Sequence, residues 1–201
     1  MPLSKDILRD LHEENQNLKN ENQLLLADIG KLRQSIRSVY KLQNELEGIT
    51  AEAHPIELIN AILSSALEAV NCKNGSLMLL DEDTGELVFV HVLGSAAEKL
   101  VGYRLSPGEG IANWVINTKR PKLVLNAQDE LHFSPLVDQL ASFLTTSLIC
   151  VPLIATQRVL GAIEVVLTSG DSFRQEDVEV MMLVAHLASL AIVRVEQGMP
   201  S

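Results

Sequence analysis

Two apolar runs with a short polar break between them constrain this chain more than any other feature. Leu148 to Ile154 and Val159 to Leu167 are rich in Val and Ile, and Thr156-Gln157-Arg158 separates them. This is the pattern of two neighbouring strands joined by a tight connection. The runs are nearly continuous rather than alternating, so both faces of their sheet are expected to be covered. Gly161 in the second run marks a close neighbour or a bend. Thr145, Thr146 and Ser147 place three hydroxyls at the mouth of the first strand, where they can hydrogen-bond a small ligand or satisfy nearby backbone groups.

The N-terminal fifty residues follow another period. Leu11, Leu18, Leu25, Leu32, Val39 and Leu46 recur every seven residues at position d, and Leu8, Asn15, Asn22, Ile29, Ile36 and Gln43 fall at a. A sustained heptad of this kind predicts a left-handed coiled coil. Buried Asn at a fixes register, so Asn15 and Asn22 point to two parallel strands. Glu14 with Lys19, and Asp28 with Arg33, would pair across such an interface. The expected seam is Leu11, Asn15, Leu18, Asn22, Leu25, Ile29, Leu32, Ile36 and Val39, in a rod over 8–47 roughly 60 Å long. The competing reading is one amphipathic helix packed on its own domain.

Between rod and hairpin the chain alternates short elements. After Gly48 and His54-Pro55, a helical stripe runs from Ile56 to Val70. Strands are expected over Ser76 to Leu80 and Leu87 to Leu93, joined by the turn Asp81-Glu82-Asp83-Thr84-Gly85. A short strand over 101–105, a helix over 111–118 and a strand over 122–126 follow, with 127–144 irregular or in short helices. The last helix, 173–195, is apolar nearly all round and needs a cover on each side. Met181 and Leu187 are therefore expected at a dimer interface together with the rod.

Composition narrows the function classes. Of 201 residues, 47% are apolar but only 3% aromatic, so the core is aliphatic and a base-stacking platform is not expected. The net charge is −10. Residues 1–49 hold seven Lys/Arg and eight Asp/Glu, which leaves −9 for residues 50–201. This balance argues against nucleic acid and anionic membrane as partners. Cys72 and Cys150 are too few for a disulfide framework. The charged first twenty residues do not form a signal peptide, and no apolar run approaches membrane-spanning length, so a cytoplasmic location is expected.

Three segments carry a family resemblance. They are Gly108-Glu109-Gly110-Ile111-Ala112-Asn113-Trp114-Val115-Ile116, then Thr118-Lys119-Arg120-Pro121, then Thr146-Ser147-Leu148-Ile149-Cys150-Val151-Pro152-Leu153. With Gly161 and Phe173…Glu176-Asp177, they resemble a GAF domain over 55–195. GAF domains are small sensory modules of bacterial signalling proteins, phytochromes and cyclic-nucleotide phosphodiesterases. The resemblance implies an α+β fold: an antiparallel sheet of about six strands with helices on both faces, here behind a long N-terminal helix. The organisation expected is a parallel dimeric coiled coil over 1–50, a GAF domain over 55–196 and a tail over 197–201.

The resemblance also places a ligand pocket between the sheet and 101–144. Its implied lining is Tyr103, Ile111, Val115, Asn126, Asp129, Phe133, Phe143, Thr145, Thr146, Ser147 and Glu164. Relatives that bind cyclic nucleotides commonly carry Asn-Lys at the end of the last strand; here Leu167-Thr168 stands there. The bilin-bearing or sulfoxide-reducing cysteines of some relatives have no counterpart. The five histidines are scattered without metal spacing. The expectation is a non-enzymatic homodimeric sensor with an unknown small-molecule ligand, an unknown cofactor, no metal and a downstream signalling partner. A ligandless dimerisation scaffold is the alternative.

Overall fold

The structure is a computed structural model that describes residues 3–47, 55–142, 144–170 and 172–197. Phe143, His54 and the tail beyond Gln197 lie outside the described residues.

Six strands form one antiparallel sheet in the order β3-β2-β1-β6-β5-β4. They are β1 (Asn74–Leu80), β2 (Leu87–Leu93), β3 (Arg104–Leu105), β4 (Lys122–Val124), β5 (Ser147–Ala155) and β6 (Arg158–Leu167). The expected hairpin is β5–β6. Thr156 and Gln157 both have positive φ, 47° and 73°, which suits the right-handed twist of a two-residue turn. β1 and β6 lie so close at Gly161 that a Cβ there would sit 2.0 Å from the Met78 carbonyl oxygen. One residue of β6 bulges beside it, where the pairing shifts between Leu153 and Ile154.

Strand alternation divides the core between the two faces. On one face Leu77, Ile149, Val151, Ile163 and Val165 pack under α2 (Pro55–Ala69) and α6 (Gln175–Gln197). On the other, Met78, Leu148, Cys150 and Ala162 pack with Phe89 under α4 (Gly110–Thr118). Two shorter helices, α3 (Ala97–Leu100) and α5 (Pro135–Ala141), complete that second layer. The sheet is therefore covered on both sides, as its near-continuous apolar strands require.

Helix α1 (Leu3–Glu47) has two unlike halves. Its C-terminal part docks on its own domain: Leu42 and Leu46 are buried in the α2/α6 core. Ser35 Oγ donates to the Ala69 carbonyl at 2.6 Å, Gln34 Nε2 to the Glu68 carbonyl at 2.9 Å, and Lys41 pairs with Glu68 at 3.3 Å. Since residue 35 meets residue 69, α1 and α2 run antiparallel. Towards the N-terminus, Leu8, Leu11, Leu18, Leu25, Ile29, Leu32 and Ile36 are all exposed.

Three interface expectations change. Met181 is fully buried inside its own subunit's core, because it faces the sheet rather than the outer side of α6. Val39 is half-buried against that same core, so it serves intrachain docking. Asp28 is bound at 3.1 Å by Arg174, at the start of α6, rather than left free for Arg33. Leu187 is half-buried, flanked along α6 by exposed Leu183 and Leu190. By length and composition α6 could cross a membrane. Here it is a core helix instead, lying against β5 and α2.

Candidate functional site: a cavity under the second helical layer

A cavity lies between the sheet and α3, α4 and α5. About 50 Å³ of it is open to the centre of a water molecule. Its walls are mostly carbon, with Phe89, Leu100, Ile111, Val137, Leu148 and Val166 among the apolar lining. The polar groups come from few places. Asn74 and Ser76 enter from β1, Ser134 and Asp138 from α5 and its cap, Thr145 from the approach to β5, and Glu164 from β6.

Glu164 sits in the row Ser76–Glu164–Cys150 that crosses β1, β6 and β5 on the cavity face. The residue is half-buried, and the protein packed around its carboxyl desolvates it. Among the described residues the Cys150 thiol is its one side-chain hydrogen-bond partner. Burial, with a further push from the charge of Asp138, raises the Glu164 pKa from its ordinary 4.5 to about 7. Burial also holds the Cys150 thiol well above its usual range, so that sulfur is not a thiolate nucleophile.

Asp138 is buried and tied down. Its Oδ2 accepts the backbone N–H of Thr145 at 2.8 Å and its Oδ1 the Thr145 hydroxyl at 2.6 Å. The next two hydroxyls turn elsewhere. Thr146 Oγ1 donates to the Leu167 carbonyl at 2.9 Å. Ser147 Oγ donates to the Val124 carbonyl at 2.8 Å and accepts the Phe173 N–H at 3.3 Å, at the approach to α6.

Of the eleven residues expected at a pocket, Ile111, Phe133, Thr145 and Glu164 line this cavity. The others that are described do not. Thr146 and Ser147 donate their hydroxyl protons to backbone carbonyls and do not line the cavity. Val115 is fully buried in the α4 packing. Tyr103 lies with its ring tilted against Phe89, centroids 6.1 Å apart, and does not line the cavity. Asn126 and Asp129 bond each other on the surface. Asn74, Ser76, Ser134 and Asp138 went unforeseen. Nothing in the sequence marks a polar strand residue as facing inward, and Asp138 gains its role only because Thr145 folds back onto it. Among the described residues, no group of three or more His, Cys, Asp or Glu could hold a metal ion.

A GAF-domain family model matches residues 52–193. The chain belongs to the GAF domain family. Domains of this family are sensory and regulatory signalling modules that commonly mediate dimerisation and small-molecule binding. A probable 3',5'-cyclic phosphodiesterase, pde-5 of Caenorhabditis elegans, is 25% identical over 130 residues, covering 64% of this chain and 17% of that protein. The chain thus spans about a sixth of that relative's length. In structure the chain is similar to the GAF domain of a phosphoenolpyruvate-protein phosphotransferase (ptsP) from Coxiella burnetii. The TM-score is 0.71 at 18% identity, over 83% of this chain and 96% of that one. It is also similar to the A. aeolicus nlh2 GAF domain in an inactive state, with TM-score 0.64 at 17% identity over 80% and 96% of the two chains. These likenesses establish the fold.

Proposed function

We propose that this chain is a non-enzymatic cytoplasmic sensor. A small molecule enters the cavity, and the change is relayed through a dimeric helical assembly to a downstream signalling protein. The observation that carries this reading is the path Asp138–Thr145–Thr146–Ser147–Phe173. Three consecutive residues connect the cavity wall, the end of β6 and the start of α6 by direct hydrogen bonds. A ligand that displaced Asp138 would pull on Thr145, and the strain would reach α6 and, through Arg174–Asp28, the rod. The exposed heptad positions of α1 supply the dimer seam, and exposed Leu183 and Leu190 extend the contact to α6.

A cyclic nucleotide fits this site poorly. The cavity is small, its walls carry two carboxylates, and a phosphate placed there would be repelled. The small volume also supports the second reading, a ligandless dimerisation scaffold. Native mass spectrometry of the whole chain separates the two. A dimer carrying a defined extra mass is expected. A dimer of bare mass, unmoved by a metabolite panel, would favour the scaffold, and a monomer would remove the relay altogether. With a ligand found, disulfide cross-linking at positions along α1 is expected to change pattern on binding.

A further inference from the structure

The cavity's chemistry is lopsided. Two carboxylates reach it, half-buried Glu164 and buried Asp138, and among the described residues that line it there is no Lys, Arg or His. The two acids are not equivalent. Asp138 has both oxygens engaged by Thr145. Glu164 has a thiol, a weak donor, and lines the cavity beside Ser76 together with Phe89, Leu148 and Val166. A carboxyl in a mostly apolar cavity, with a thiol as its one side-chain hydrogen-bond partner among the described residues, is a group whose strong partner comes from outside. A buried charge calls for a counter-charge with hydrogen-bonding protons.

We propose that the cavity takes a small primary ammonium compound with a short aliphatic body, its nitrogen donating to Glu164 on the side facing Asp138. The proposal rests on the sensor reading above and names the ligand class for that site. The aliphatic body lies against Phe89, Leu100 and Val137, which supply apolar contact and no hydrogen bonds. The volume holds only a few carbon atoms without opening α5. Anions are disfavoured, since they would face the charge of Asp138 with no cation to offset it.

Two sources share this chemistry: a simple alkylamine, and the ammonium end of a short apolar α-amino acid. In the latter the carboxylate would lie toward the first turn of α4, where Gly110, Ile111 and Ala112 form part of the wall. No cap side chain bonds the backbone N–H groups there.

Binding also has a pH signature. The titratable groups around Glu164 are Asp138 from α5 and Cys150 from β5. Glu109 lies at the rim, accepting from the Ser134 hydroxyl at 3.2 Å. Because Glu164 is half-protonated near pH 7, a cation must displace that proton. Affinity is then expected to be about tenfold weaker at pH 6 than at pH 8.

The test titrates the whole chain with n-butylamine, norvaline and butyrate, followed by methyl NMR of Leu148, Val166 and Val137 and by calorimetry at pH 6 and 8. Expected are saturable shifts with n-butylamine or norvaline, weakening at pH 6, and a loss of at least tenfold in Glu164→Gln. The stronger of the two names the source. Binding of butyrate alone, amine binding indifferent to Glu164→Gln, or no shift from the amine and the amino acid would each overturn the proposal. In the first case a sensor with another ligand still stands. In the last, native mass spectrometry decides whether the sensor reading falls too. If Glu164→Gln failed to fold, the pH dependence of the wild-type chain alone would decide.

Discussion

Replacing Glu164 with Gln removes a half-buried, desolvated charge while leaving the cavity's shape in place. In the folded chain this carboxyl titrates near 7, chiefly through burial, against 4.5 ordinarily. Between those two values the folded chain holds a proton that the unfolded chain has already lost. Its stabilising contribution is therefore present at low pH and disappears as pH rises through 4.5 to 7, after which the penalty is constant. At roughly 1.4 kcal/mol per pH unit, that gap corresponds to about 3 kcal/mol as an upper figure. Glu164→Gln has no proton to lose. Near pH 4.5 it should match the wild type to within about 1 kcal/mol, the margin of an isosteric change. At pH 8 it should be more stable by up to about 3 kcal/mol. Other acids, such as Asp81 and Glu86 beside Arg104, titrate alike in both proteins and cancel in the difference. Urea denaturation followed by circular dichroism at pH 4.5, 6 and 8 measures this, provided m is unchanged. Parallel stability curves for the two proteins would refute the account of Glu164.

Further outcomes follow from the same structure. Leu25→Glu puts a charge in the exposed seam of α1. Burying two copies of a Leu is worth about 4 kcal/mol, so light scattering should show the dimer weakened by about a thousandfold. Gly161→Ala drives a Cβ to within 2.0 Å of a carbonyl oxygen between central strands. It should lower thermal stability by about 3 kcal/mol, the cost of overpacking a core. Thr145→Val strips the hydroxyl from buried Asp138, should cost about 2 kcal/mol in denaturant, and should weaken any ligand response at α6. Cys150 should react with a thiol reagent only on unfolding, since burial raises its pKa and leaves it no exposure.

The parts of the fold that could be read from sequence are those where local pattern and tertiary context agree. β2 occupies the expected Leu87 to Leu93, because a β-branched run bounded by Asp81–Gly85 and Gly94 has one comfortable conformation. The β5–β6 hairpin follows the same logic. α3 and α5 were harder to see, as helices of four and seven residues are held by packing rather than by period. Met181 was misplaced because α6 is apolar nearly all round, and periodicity alone does not say which side meets the sheet. At the site, Glu164 is the one charge in the apolar run Val159 to Leu167. Asp138 did not, since its partner lies seven residues away across a turn that only the folded chain closes.

The two halves of α1 also make it a lever. Residues 31–46 are clamped to α2, while residues 7–27 are exposed along about 32 Å at 1.5 Å per residue. A 5° tilt at the clamp would move the far end by about 3 Å, half a helical turn. In the proposed dimer, two such levers zipped along one seam could not tilt independently. A displacement too small to notice at Ser35 would thus arrive at Leu8 as a choice between staying in register and slipping, which is the kind of signal another protein can read.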